Sequence, residues 1–271
     1  MAKMFFCIGA DDPEMRMIEK LLTDTGLPFV YAQVSEKRCH PGNAYKADPV
    51  EVPAEHRLVI VECEPVNFAD FPDALRIDHH RPGIDATADM GPGQYWEAAS
   101  IGQLHRLLGK EPDRNATVMA AFDHCFPAAV RGECPDVSAG DVVLLKAVEI
   151  AKATNVTEVT VHEHIDRFRR LVGDGTPCVW INEQGVIDLR SHDLDVGYSL
   201  DYLSAQVAVA MSGKIALLRG RDTADGPDRI TIYGNTTSRI VEAFMKDWAP
   251  ARGLVGIYGA PARGYAGGYT S

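Results

Sequence analysis

Four short clusters in this sequence carry residue types able to hold a metal ion: Asp11-Asp12-Pro13-Glu14, Glu62 with Glu64, Asp78-His79-His80, and Asp123-His124. Carboxylates bridge divalent ions, and imidazole nitrogens favour Mn, Zn or Fe over Mg. A carboxylate–imidazole set drawn from separate elements is what a two-metal site requires. Each cluster alone has a plainer explanation. Asp12 before Pro13 is a good helix cap, Glu62 a solvated strand end, and His124 a hydrogen-bonded helix residue. Asp-His-His at the end of an apolar strand is less common, and the clusters gain weight together.

The elements that must position them follow from hydrophobic patterning. Residues 4–8 are uncharged and apolar, the pattern of a strand buried in a parallel sheet. Asp12 and Pro13 then open a helix that stops near Gly26. Strands are expected at 29–34, 58–61 and 75–77, and helices at 95–108, 115–126 and 142–153. This alternation predicts an α/β domain with a mostly parallel sheet flanked by helices. Ligands of such sheets bind beyond the carboxyl ends of the strands. Three of the four clusters fall there, and Asp123-His124 falls near the end of a helix.

Residues 158–172 have helical spacing weakened by the β-branched Val159, Thr160 and Val161. Gly173-Asp174-Gly175-Thr176-Pro177 then punctuates the chain. Strands at 178–181, 215–218, 230–233 and 254–258, with helices at 200–211 and 238–248, make a smaller C-terminal α/β domain. The expected division is 1–155, a linker at 156–176, and 177–271.

Composition narrows the partners. The 38 acidic residues outnumber 27 basic ones, for a net charge of −11. Such a chain repels long polyanions, which disfavours duplex coating but not a small phosphorylated substrate reached through metals. Six cysteines without CxxC spacing suit free thiols in a reducing cytosol. The opening MAKMFFCIGADDPE fits neither a signal peptide nor a membrane span, so a soluble cytoplasmic protein is expected. With no GxxxxGK[ST] loop and no GxGxxG after a strand, kinase and Rossmann dehydrogenase readings lack support.

RIDHHRPG, after LVIVECEP and before WEAASIGQLHRLLG, resembles the DHH phosphoesterase superfamily, which includes RecJ-type exonucleases, nanoRNA and cyclic-dinucleotide phosphodiesterases, and family II pyrophosphatases. The resemblance covers roughly the first 130 residues in motif order. It implies metal ligands at Asp78, His79 and His80, at Asp123 with His124, at Asp11 or Asp12 with Glu14, and at Glu62. One of His79 and His80 would ligate while the other contacts phosphate or donates a proton. The implied cofactor is a divalent metal, Mn²⁺ first, with Zn²⁺, Fe²⁺ or Mg²⁺ as alternatives. Two departures stand out. The histidine that usually opens the first motif is missing, and Glu62 replaces the usual Asp, one methylene longer.

The tail GIYGAPARGYAGGY is similar to the glycine-rich substrate motif of the superfamily's C-terminal domain, with Arg263 and Tyr265 where a His is usual. The likeness implies substrate binding by Arg263, Gly264, Gly267 and Gly268. Arg190-Ser191-His192, after a strand-like stretch, would join them from the cleft, Arg190 foremost. The expected function is a metal-dependent phosphoesterase acting on a small phosphate ester, a short nucleotide or (cyclic) dinucleotide, with a homodimer as the expected assembly. The rivals are a fold-retaining binding protein without catalysis, and a pyrophosphatase or polyphosphatase at the same metals. His162 and His164 are expected on a polar helix face, and His105 at a satisfied surface position.

Overall fold

The computed structural model describes residues 3–81, 84–173, 178–192, 194, 199–221 and 225–271. The chain forms two compact units, Met1–Ala88 with Gln94–His124, and Asp89–Gly93 with Cys125–Ser271.

In the first unit, the apolar run at the start becomes β1 (Lys3–Ile8), followed by α1 (Pro13–Asp24). Asp12 caps α1 by accepting from the Met15 amide at 2.7 Å, and Pro13 stands at its first turn. Met15, Ile18 and Leu22, at helical spacing, are its buried apolar stripe. The expected strand at 29–34 divides instead. β2 (Phe29–Tyr31) joins the main sheet, and β3 (Gln33–Val34) pairs with β4 (Lys37–Arg38) in a separate hairpin. Ser35 and Glu36 make that turn at φ +53° and +66°, the backbone a two-residue hairpin needs. β5 (His56–Val61) and β6 (Leu75–Ile77) complete a four-stranded, all-parallel sheet of order β2-β1-β5-β6.

The helix expected at 95–108 is broken into α2 (Tyr95–Ala98) and α3 (Ser100–Leu108), because Ala99 takes an extended ψ of 144°. α4 (Arg114–Val130) runs past residue 126 but leaves helical geometry at Cys125, with φ −152° and ψ 51°. Pro127 is the cause: its ring would strike the carbonyl of Asp123, four residues back, and it offers no amide.

The second unit contains α5 (Ala139–Thr154), α6 (Glu158–Gly173), β7 (Cys178–Ile181), β8 (Gln184–Asp188), α7 (Leu200–Ser212), β9 (Ile215–Arg221), β10 (Asp228–Gly234), α8 (Ser238–Ala243), β11 (Val255–Ala260) and β12 (Tyr265–Tyr269). α6 fills most of the segment expected as linker and packs on α7. The punctuating residues 174–177 lie outside the described residues. The sheet is mixed, of order β11-β12-β10-β9-β8-β7, with only β8 and β9 parallel. Ile215, Leu217, Ile230 and Ile232 bury one face against Val241, Phe244 and Trp248. α8 ends at Ala243, and a π-helical turn over Phe244–Trp248 replaces the rest of the helix expected to residue 248.

Among the described residues no helix is long and apolar enough to cross a membrane. All six cysteines are free thiols, five of them buried.

Candidate metal centre

Register brings three clusters to one level. Ile8 of β1 pairs with Val61 of β5, which pairs with Ile77 of β6. The residues that leave these adjacent strands are therefore Gly9, Glu62 and Asp78, with strands about 4.8 Å apart. Gly9 is required at its position. A Cβ there would stand 2.5 Å from the Glu62 carbonyl oxygen, and its amide donates to Val61 O at 2.9 Å. Glu62 takes φ +51°, a left-handed backbone that costs a non-glycine residue roughly 1–2 kcal/mol. Its amide is fixed by donation to Ile77 O at 3.0 Å.

Glu62, His79, His80 and Asp123 each place one ligand atom within 4.8 Å of all the others. His79 is fully buried, and its Nε2 lies 3.0 Å from Asp123 Oδ2, 3.4 Å from Glu62 Oε1 and 4.0 Å from Glu14 Oε2. Its other nitrogen, Nδ1, is 3.1 Å from Nδ1 of the buried His124. One of these two rings must carry its proton on that edge and the other must not. His80 lies edge-on to His79 and is 37% exposed, so it reaches solvent where His79 does not. Its Nδ1 is 3.3 Å from Asp78 Oδ1 and 3.8 Å from Glu62 Oε1.

The remaining expected residues take distinct places. Asp78 stands behind the cluster, where its Oδ1 accepts from the His80 amide at 3.0 Å and the Tyr45 hydroxyl at 3.1 Å. Burial pushes the Asp78 carboxyl up, but His80 and Tyr45 outweigh it and hold it below its ordinary range. The two neighbouring aspartates, left open by the sequence, separate in the structure. Asp11 turns outward to Arg16 at 3.1 Å and is not among the clustered ligands. Asp12 faces inward: burial, with Glu62 and Asp123 nearby, pushes its carboxyl up to about 8.

Glu14, which the sequence offered only as an adjunct, is fully buried, and its Oε1 accepts from the Ile101 amide at 2.9 Å. The break at Ala99 explains this contact: it exposes the first amides of α3, which need an acceptor. Burial, then Asp123 and Glu62, raise the Glu14 carboxyl well above its usual value, and burial raises Glu62 as well. Tyr45 and Gln103, whose amide donates to Asp78 O at 3.0 Å, were not singled out in the sequence. Nothing in their local pattern marks them, because each reaches Asp78 across 25 or more positions.

These residues fit a cation. Glu14 Oε2 and Glu62 Oε1 are buried with no hydrogen-bond partner among the described residues. Buried carboxylates raised by desolvation and by the nearby Asp123 carry, when ionised, negative charge that a divalent ion would neutralise. Mixed carboxylate and imidazole donors suit Mn, Fe or Zn.

The residues expected to bind substrate lie in the second unit. Arg263 is buried, with its guanidinium 5.4 Å from the Tyr265 ring centre, and Gly264 takes φ +78° where its carbonyl accepts from the Thr236 hydroxyl. Gly267 and Gly268 sit inside β12, the strand between β11 and β10. A Cβ on Gly267 would come within 2.5 Å of the Tyr258 hydroxyl. Arg190 forks onto Asp188 at 2.7 and 2.8 Å. Two residues beyond Asp188, which pairs with Leu217, the parallel register of β8 and β9 carries Arg190 toward the level of Arg219 and Ile230, away from Thr236, which lies beyond Gly234 at the other end of β10. His164 of α6 bonds Asp201 of α7 at 2.6 Å. His105 is buried rather than surface-exposed, packed on Trp96 with its Nδ1 3.3 Å from Lys110 O.

No family model matches the chain, and no curated protein matches it. Among solved structures it is similar to PggH from Vibrio cholerae, a pGpG-specific phosphodiesterase, at 13% identity and a TM-score of 0.40. The match covers 100% of this chain and 94% of that one. A likeness so distant identifies neither a family nor a substrate.

Proposed function

We propose that this chain is a metal-dependent phosphoesterase of the DHH type that hydrolyses a small phosphate ester, a short nucleotide or (cyclic) dinucleotide. The observation that carries this reading is the convergence of Glu62, His79 and His80, from the carboxyl ends of adjacent parallel strands, with Asp123 of α4. Glu62, His79, His80 and Asp123, with Asp12 and Glu14 beside them, would hold a divalent ion, which would supply Lewis acidity toward a phosphoryl oxygen and lower the pKa of water. His79, fully buried, serves as a ligand through Nε2, and His124 fixes which of its nitrogens carries the proton. His80, solvent-facing and held by Asp78, contacts the phosphate or hands a proton to the leaving group. The net charge of −11 favours a short substrate over a long strand.

The test combines metal analysis with turnover. Protein purified without chelator should carry stoichiometric Mn, Fe or Zn and should hydrolyse one of pGpG, pApA, a cyclic dinucleotide, a nucleoside bisphosphate or pyrophosphate. His79→Ala should abolish turnover and bound metal with the circular dichroism spectrum unchanged. Asp78→Asn, altering a carboxylate behind a ligand, should cost about 10–100-fold in metal affinity. Full turnover in His79→Ala would refute the site, and bound metal with no turnover would refute the substrate class.

A further inference from the structure

A second concave site, unrelated to the metal cluster, lies wholly within the second unit. It is a cavity of about 460 Å³ lined by Arg190, Arg219, Asp228, Trp248, Arg252 and Thr270, with Ile230 and Leu254. Its origin is visible in the strand pattern. Ile215 and Leu217 of β9 face the apolar core, and the next residue on that face is Arg219, opposite Ile230 of β10. The sheet's buried stripe therefore ends in a guanidinium. Arg190, two residues beyond β8, and Arg252, closing a 3₁₀ turn after Trp248, supply two more.

Charge accounting shows an excess. Arg190 is committed to Asp188, while Asp228 is shared by Arg221 at 2.7 Å and Arg219 at 3.9 Å. Arg252 has no carboxylate partner among the described residues. It donates to the Trp248 carbonyl at 3.3 Å and sits 4.2 Å above the Trp248 ring. The cavity lining thus presents the three guanidiniums of Arg190, Arg219 and Arg252 against the single carboxylate of Asp228, in a chain of net −11. Like charges gathered this way repel unless an anion joins them.

The aromatic floor restricts what that anion is. Arg190 and Arg252 both lie over the Trp248 ring, at 5.3 and 4.2 Å, and Phe244 stacks on it at 5.3 Å. With the ring so covered, a nucleobase has no face to stack on. The guanidinium forks are what the cavity presents, and they match phosphate oxygens. Thr270 adds a hydroxyl: its oxygen accepts from the Asp228 amide at 3.1 Å, which leaves its proton to donate. We propose that this cavity binds a small phosphate-bearing anion through Arg219, Arg252 and Thr270, recognising the phosphate and not a base. It is separate from the Arg263–Gly264 turn. β10 runs from Asp228 here to Gly234 beside that turn, six residue steps, or about 20 Å.

The experiment uses the full chain in excess EDTA, so that no metal-held anion contributes. Isothermal titration with inorganic pyrophosphate should give saturable one-to-one binding that weakens as salt rises. Arg252→Ala and Arg219→Gln should each weaken it about tenfold, the loss of one charge-assisted contact. Asp123→Asn should leave it unchanged, and adenosine, lacking phosphate, should not bind. Arg252 is exposed, so Arg252→Glu keeps the fold and reads the site even if Arg219→Gln destabilises the sheet. No saturable binding at millimolar pyrophosphate, binding indifferent to Arg252→Glu, loss in Asp123→Asn, or adenosine binding as tightly would each overturn the proposal.

Discussion

Glu14 shows how one buried side chain serves two ends. Its Oε1 satisfies the Ile101 amide at the start of α3, and its Oε2 faces His79 and the carboxylate cluster. In chelated protein, burial with Asp123 and Glu62 shifts this carboxyl toward its protonated form. A carboxyl whose pKa rises on folding binds a proton in the folded state, so its contribution to stability declines as pH climbs above the ordinary value. Glu14→Gln keeps the acceptor without the acid. The variant should match the wild type in urea denaturation at pH 5 and equal or exceed it at pH 8. Glu14→Leu removes the acceptor and should cost about 1–3 kcal/mol at both pH values, because the Ile101 amide is left buried and unpaired. A Gln variant as damaged as the Leu variant would mean that the charge, not the cap, matters in the folded state.

At the scale of elements, the glycine-rich tail is where sequence and structure diverge most. Alternating tyrosine and glycine gave no apolar period to mark a strand, yet β12 lies between β11 and β10 in its sheet. Gly267 is there because the neighbouring Tyr258 needs the space, whereas Gly268 faces Ile257 and Leu254. Gly267→Ala would press a methyl against Tyr258 and Thr231, and overpacking of that kind costs about 1–3 kcal/mol. Denaturant titration should show that loss with pyrophosphate binding intact; unaltered stability with altered substrate affinity would return Gly267 to a binding role. The parallel strands of the first unit were legible because short apolar runs end in acids, at once after Val61 and Ile77 and after Gly9-Ala10 beyond Ile8. What no local pattern carried was the break at Ala99, the kink that Pro127 imposes at Cys125, and the choice between Asp11 and Asp12. The last depends on which side chain the capped turn directs toward Glu62 and Asp123, a tertiary fact.

For the whole molecule, a chain of two compact units need not melt as one, and a metal held by one of them makes the division measurable. All the clustered ligands come from Met1–Ala88 and Gln94–His124. An ion that binds only the folded form stabilises it by RT ln(1 + [L]/Kd), about 2.7 kcal/mol at a hundredfold excess over Kd. That stabilisation also offsets the negative charge of Asp123, which raises the cost of ionising both Glu14 and Glu62. Hydrogen exchange on the intact chain, with and without Mn²⁺, should therefore show slowed amides in β1, β5, β6 and α3, which surround the ligands. Amides of β9, β10 and β12 should exchange at the same rate in both states. Equal protection across both sheets would mean that the ion is gripped by residues beyond the cluster, and protection confined to the second sheet would remove the metal from Glu62, His79, His80 and Asp123 altogether.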